Sequence, residues 1–356
     1  MLPVHKNYLS AIIAASVLAI GNAHASEAET STPLFYGNLN LSLDLVDAEK
    51  AKSVGSYGDA DHVKISSNNS RLGFSHTLPL DAGLTALIKA EVRLKADDGK
   101  DGGNSPFTAR EIYVGVKGDF GQLIAGRINR PVRAVQGRLD VFNHLYGDIN
   151  TVIGGEGFSD NVVQYSTPKL GHLLAKFAYH AAESENQDKQ PTDLKDGYSA
   201  SLTYDNNRLY AALGYEVDVK NPGAGIETTN AQNVDAARLG IGYKVGSASV
   251  GTILQYQKGT AVTGSGTPVQ YNSVDNEEFG YVINGSYQLD RLKIKAQYGS
   301  VKGQRTDYQR DLWVAGADYS LSNKSHLFVA YTHINKDEIN TEKTDNVLQI
   351  GFNQSF

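Results

Sequence analysis

Apolar and polar residues alternate one by one along most of this chain, and that period of two limits its fold more than any other feature. Near the start, Phe35, Gly37, Leu39, Leu41, Leu43 and Leu45 share one parity while Tyr36, Asn38, Asn40, Ser42 and Asp44 share the other. Successive side chains of a strand point to opposite faces, so the segment reads as a strand with one apolar and one polar face. The pattern returns at Leu84, Ala86, Ile88, Ala90, Val92 and Leu94, set against Thr85, Lys89, Glu91, Arg93 and Lys95. Sixteen such segments begin near residues 35, 63, 84, 108, 121, 161, 172, 197, 208, 235, 248, 278, 291, 311, 325 and 346.

The spacers between these segments alternate strictly between short and long. Leu78 to Gly83, Gly118 to Gly121, Asp205 to Asn207 and Leu289 to Asp290 are typical of the short ones. The long ones run roughly over 47–62, 96–106, 128–160, 181–196, 218–233, 258–277, 300–310 and 334–345. All long connections therefore fall at one end of the sheet. A soluble sandwich has no reason to sort its loops in this way, whereas a membrane barrel has short periplasmic turns and long external loops. The expected fold is all-β: a closed 16-stranded antiparallel transmembrane β-barrel.

Energetics assign the two faces. A lysine or arginine facing lipid near mid-membrane costs about 2–4 kcal/mol, more than the whole span of β-propensity, about 1 kcal/mol. Lys89, Arg93 and Lys95 must therefore line water. Closure follows too, because each unpaired edge amide in hydrocarbon costs several kcal/mol.

The first residues carry His5 and Lys6, an apolar run from about Tyr8 to Ile20, and Ala23-His24-Ala25 before Ser26. This reads as a secretory signal peptide, residues 1–25, too short to anchor in a bilayer, and leaves 26–356 as one barrel domain. Cysteine is absent, which removes disulfides, thiolate metal sites and cysteine nucleophiles. A formal net charge of -6 disfavours nucleic acid as a partner. Of twenty tyrosines, Tyr204, Tyr215, Tyr243, Tyr256, Tyr287, Tyr298, Tyr319 and Tyr331 mostly sit on the apolar parity near strand ends, as in an interfacial aromatic girdle.

Phe35-Tyr36-Gly37, Ser70-Arg71-Leu72-Gly73-Phe74, the stretch from Ile112 to Gly121, Gly126-Arg127, the stretch from Asn161 to Pro168, and the terminal Phe356 form a recognisable set. Together they resemble the general bacterial outer-membrane porins, of the trimeric 16-stranded type, over essentially the whole mature length. The resemblance implies a homotrimer in the outer membrane, in contact with lipid and lipopolysaccharide, passing small hydrophilic solutes with no cofactor. It also implies that the assembly machinery of that membrane recognises the last strand, in which Leu348, Ile350, Phe352 and Phe356 share a parity.

The longest spacer, about Ile128 to Asp160, is rich in Gly, Val and Leu and reads as a packed functional loop. It lies where the family folds its third loop inward to narrow the lumen, with arginines on the wall facing the loop's carboxylates. Matched motifs make Arg71 and Arg127 candidates for that wall; Arg93 joins them by inward parity, and Arg130 and Arg133 by proximity in sequence. Asp140, Asp148 and Glu156 are the candidate acids. Charges across a narrow gap set a field that sorts ions and dipolar solutes. Many relatives carry arginine where Gln164 stands, which weakens the expected basic row. Arg71 and Arg93 could also simply neutralise lumenal acids such as Glu91.

Other motifs fail their context. Asp97 to Gly102 lacks the ligand spacing of a calcium loop, and Gly240-x-Gly242 lies mid-strand with no helix following, so its glycines read as small lumen-facing residues. The scattered histidines His76, His144, His180, His326 and His333 accompany no nucleophile elbow, so no enzyme is expected. The expected function is a water-filled channel for passive diffusion. The alternatives are a substrate-selective channel for anions such as phosphate or carboxylates, and a structural or adhesive barrel with incidental conduction.

Overall fold

The computed structural model describes residues 32–48, 62–99, 105–182, 196–220, 231–265, 270–303, 308–338 and 341–356. The expected signal peptide at 1–25 lies outside them, as do most of the spacers at 47–62, 181–196 and 218–233. Alternation produces strands where it was read. They are β1 (Leu34–Ala48), β2 (His62–Ser67), β3 (Arg71–Pro79), β4 (Thr85–Leu94), β5 (Phe107–Gly118), β6 (Gly121–Asn129), β7 (Phe158–Ser166), β8 (Leu173–His180) and β9 (Gly197–Asp205). The second half holds β10 (Leu209–Lys220), β11 (Ala231–Val245), β12 (Ala248–Ser265), β13 (Gln270–Leu289), β14 (Leu292–Gly303), β15 (Gln309–Ser322), β16 (Ser325–Glu338) and β17 (Thr341–Ser355). β2 and β3 both pair with β1 and are two halves of one stave, so the barrel has sixteen.

Neighbouring staves pair antiparallel, and β17 returns to β1 in register from Asn38↔Ser355 to Ala48↔Asp345, which closes the ring. Phe356 extends the seam: its N–H donates to the Gly37 carbonyl at 3.0 Å, and its own carbonyl accepts from the Gly37 N–H at 3.1 Å. A side chain at Gly37 would overlap the Phe356 ring. The glycine of the first stave thus makes room for the last residue of the chain.

Burial follows the period. In β1, Leu39, Leu43 and Leu45 are exposed on the outside, whereas Asn38, Asn40, Ser42 and Asp44 are buried inside. Tyr243, Tyr287 and Tyr319 stand exposed near the tight turns, with Tyr215, Tyr256, Tyr331 and Trp313 farther along their strands toward the other end. That suits amphipathic rings at two membrane interfaces.

The structure corrects the strand reading in three places. The second stave breaks at Asn68 to Ser70, where Asn69 takes a left-handed conformation (φ 59°). The spacers at 258–277 and 334–345 are largely strand: β12 pairs with β13 as far as Ser265↔Gln270, and β16 with β17 as far as Glu338↔Thr341. Polar alternation hid these extensions, because a hairpin projecting beyond the membrane has no lipid-facing side to mark it. The third correction concerns the inner face, which is not polar all round: Ile253, Val282, Leu312, Val314, Phe328 and Ile334 are buried there.

Ile283, on the outer face between Phe279 and Tyr287, is 54 % exposed. Replacing an exposed residue of a water-soluble protein rarely shifts stability beyond about 0.5 kcal/mol. Ile283→Arg should instead destabilise the barrel by about 2–4 kcal/mol in urea titrations in lipid vesicles. A neutral result there would show that this face does not meet hydrocarbon.

Candidate functional site

Between β6 and β7 the chain turns into the barrel. Arg130 leads into a single helical turn, Pro131–Ala134, whose proline stands at its first position, where the missing N–H is not needed. Further tight turns follow, then a short 3-10 turn at Ile149–Thr151. Asp148 caps that turn: its carboxylate accepts from the Asn150 N–H at 2.9 Å and from the His144 N–H at 2.6 Å.

The loop is laid against one side of the interior. Val135, Leu139, Phe142, Leu145, Ile149, Val152 and Ile153 form one apolar cluster with the inner faces of β10 and β12–β16. Glycines of the wall supply the seat. A Cβ at Gly242 would come within 2.5 Å of the Leu139 side chain, one at Gly251 within 2.7 Å, and one at Gly316 within 2.9 Å of the Phe142 ring. Gly240 and Gly242, read from sequence as small lumen-facing residues, are small because Leu139 sits on them.

A loop inside a barrel must still satisfy its backbone. Inner-wall side chains do this: Gln297 donates to the Gly147 carbonyl (2.9 Å), Gln255 and Arg238 to that of Gly154 (3.0 and 2.7 Å), and Arg310 to that of Thr151 (3.0 Å), while Gln349 accepts from the Tyr146 N–H (2.8 Å). Ion pairs pin both ends. Arg130 meets Glu216 of β10 at 2.9 Å, both 1 % exposed, and Glu156 binds Arg238 of β11 and, at 3.3 Å, Arg133. Removing one partner of a pair buried this deeply costs about 3–5 kcal/mol, because the other charge is stranded.

On the opposite side the loop faces β3–β5. There Glu91 accepts from Arg110 at 2.6 Å and from the Tyr36 hydroxyl at 2.9 Å, with Arg71 at 3.9 Å. Asn69, at the break of the second stave, accepts from Arg110 at 2.6 Å and from Arg93 at 3.1 Å, and its amide lies 2.9 Å from the His144 ring. The Phe158 ring lies under the guanidiniums of Arg110 and Arg133, at 4.9 and 4.7 Å. Burial, then repulsion from Arg110, Arg71, Arg133 and Arg93 in that order, holds the His144 imidazole well below its usual range. It is therefore neutral at physiological pH.

Of the residues expected on the basic wall, Arg71, Arg93 and Arg133 come together around His144. Arg127 and Arg130 do not. Arg127 shares the outward parity of exposed Leu123 and Ala125 and pairs with Asp160 at 2.6 Å, its guanidinium reaching only the far edge of the cluster at 5.9 Å from the Phe158 ring, and buried Arg130 anchors the loop. The expected acids are engaged within or behind the loop: Asp148 in its turn, Glu156 with two arginines, and Asp140 with both carboxylate oxygens inaccessible. Gln164 is buried on the inner face.

Sequence reading missed Arg110, because it shares the outward parity of Ile112 and Val114. The register shifts between Ala90 and Val92 of β4, and this bulge turns Arg110 and Glu111 both inward, where Glu111 pairs with Lys89. The signal was available: an arginine on a lipid parity marks a bulge, since lipid would penalise it. The glycine seat offers its own test. Gly251→Leu should displace the loop and raise single-channel conductance while the barrel still folds, and unchanged conductance would mean that the seat does not position the loop.

Comparison with known proteins agrees with this architecture. The family described as Gram-negative porin matches residues 11–339. The major outer membrane protein P.IB of Neisseria sicca is 21 % identical over 343 residues, covering 88 % of this chain and 92 % of the relative; its namesake in Neisseria meningitidis serogroup B is 23 % identical over 270 residues, covering 73 % and 75 %. Among solved structures, an anion-selective porin from Comamonas acidovorans superposes with a TM-score of 0.70 at 19 % identity, covering 91 % of this chain and 99 % of that one. Salmonella typhi OmpF in complex with daunomycin gives 0.69 at 16 % identity, covering 91 % and 97 %. With a family match running almost from end to end of a closed barrel, the chain belongs to the Gram-negative porins, the passive diffusion channels of the outer membrane.

Proposed function

We propose that this porin passes small anions in preference to cations, through a constriction between the third loop and the β3–β5 wall. One observation carries the reading: four arginines, Arg71, Arg93, Arg110 and Arg133, gather around a neutral His144 against three carboxylates, Glu91, Glu156 beside Arg133 and Asp148 at 3.9 Å from the imidazole. The acids that could oppose them are turned into the loop or its anchors. A low-dielectric gap with a surplus of fixed positive charge concentrates anions and repels cations. The anion-selective porin of Comamonas acidovorans, similar in fold, is consistent with this preference.

The family resemblance and the trimer form of the fold neighbour OmpT from Vibrio cholerae support assembly as a homotrimer. The apolar, exposed outer face supports contact with lipid and lipopolysaccharide, and the paired terminal Phe356 suits recognition by the assembly machinery. Residues 1–25 act as a cleaved signal peptide, so N-terminal sequencing of the mature protein should begin at Ser26.

Two measurements test the selectivity. In planar bilayers under a KCl gradient, Arg71→Ser with Arg93→Ser should lower the chloride-over-potassium permeability ratio by about two- to fivefold. Equal ratios in both channels would remove the assignment. The second measurement is a pH titration. Burial lifts the Asp148 carboxyl to about 6, with Glu156 repelling it and the Asn150 and His144 N–H groups opposing the shift. Below that pH the loop loses a negative charge, so anion preference should rise as pH falls through about 6. Asp148→Asn should abolish the step, and a step that persists would assign it to another group.

A further inference from the structure

Beneath the third loop, at the end of the barrel with the tight turns, lies a second basic recess, separate from the β3–β5 wall. Its roof is the loop at Arg138, Leu139 and Val141, and its wall includes Lys244, Ser249, Ser286 and Lys293, near the ends of β11–β14. Register and parity gather these side chains: Lys244 stands across from Ser249 and Ser249 across from Ser286, while their sequence neighbours Tyr243, Val250, Tyr287 and Ile294 are exposed on the outside. The cavity measures about 360 Å³, within the range of small-molecule sites.

The charge in this recess is not balanced. Arg138 is fixed by Asp205 at 3.2 Å and donates to the carbonyls of Asn207 and Arg208 at 3.1 and 3.2 Å. Lys244 and Lys293 have no ion-pair partner among the described residues. Asp205 is engaged by Arg138, and Asp318, across from Lys293 in register, is engaged by Lys295 at 2.9 Å, so of the three lining cations the two lysines face the recess without an ion-pair partner of their own, beside two serine hydroxyls able to donate. Lysine heads are flexible point charges, suited to an oxyanion that must also leave.

We infer that this recess is a binding site for a small doubly charged oxyanion, such as a phosphate or a dicarboxylate, held transiently at the periplasmic mouth. The site lies across the lumen from Arg71 and Arg110. It rests on the channel reading but not on the anion preference of the constriction.

Inorganic phosphate is the probe, used in planar bilayers at about pH 8, where it is mainly doubly charged, and in low salt, because screening shortens the reach of these charges. Phosphate should reduce the single-channel chloride current of the native porin with saturation. Lys244→Ser with Lys293→Ser should raise the half-blocking concentration at least about fivefold, since two of three cations are lost. Lys244→Arg with Lys293→Arg, which keeps the charge, should retain the block and so separate lost charge from disturbed folding. Absence of block in the native channel, or an unchanged half-blocking concentration in the serine variant, overturns the site. Failure of the constriction reading appears elsewhere, in the chloride reversal potential of the Arg71 and Arg93 variants.

Discussion

Hydrocarbon offers a backbone no hydrogen-bond partner, and this structure depends on meeting that constraint. Each amide left unpaired in lipid would cost several kcal/mol, so the sheet has no tolerated edge and must return to its first strand. The seam from Asn38↔Ser355 to Ala48↔Asp345, with the paired Gly37 and Phe356, is the place where that demand is met. Once the ring is closed, alternation has a physical meaning. Leucine and tyrosine face lipid, and the other parity faces the interior.

The interior is divided into a side packed by apolar residues and a side lined by charges. The third loop covers the inner faces of β10 and β12–β16, and glycine at Gly242, Gly251 and Gly316 lets it lie close to the wall. Its polar backbone is satisfied by wall glutamines and arginines, and its ends are clamped by Arg130–Glu216 and Arg238–Glu156. A segment with this many specific anchors behaves as part of the wall rather than as a flap. It holds the lumen narrow without strand pairing.

Like charges on the second of these sides need a reason to stay together. Glu91 and Asn69 accept from the guanidiniums, and the Phe158 ring offers its face to two of them. Two backbone irregularities create the arrangement. The break at Asn69 brings an amide to the lumen, and the bulge on β5 brings Arg110 beside Glu91. Bulges and breaks of this kind re-aim side chains at functional sites in many sheets.

The sequence by itself determined the barrel, its sixteen staves, the direction of its loops and the identity of its lipid face. A period of two is local, and lipid enforces it at every stave. It also brought Arg71, Arg93 and Arg133 into view. Only tertiary structure decided that Arg127 faces outward, that Arg130 is an anchor, that the loop's acids are engaged within or behind the loop, and that Arg110 turns inward. These depend on a one-residue register shift and on which wall the loop packs against. A single shift of register reverses the face on which a side chain stands, and the side taken by the loop is set by glycines and ion-pair partners many residues distant in the chain. Period reports the average strand, whereas the site is built where strands depart from it.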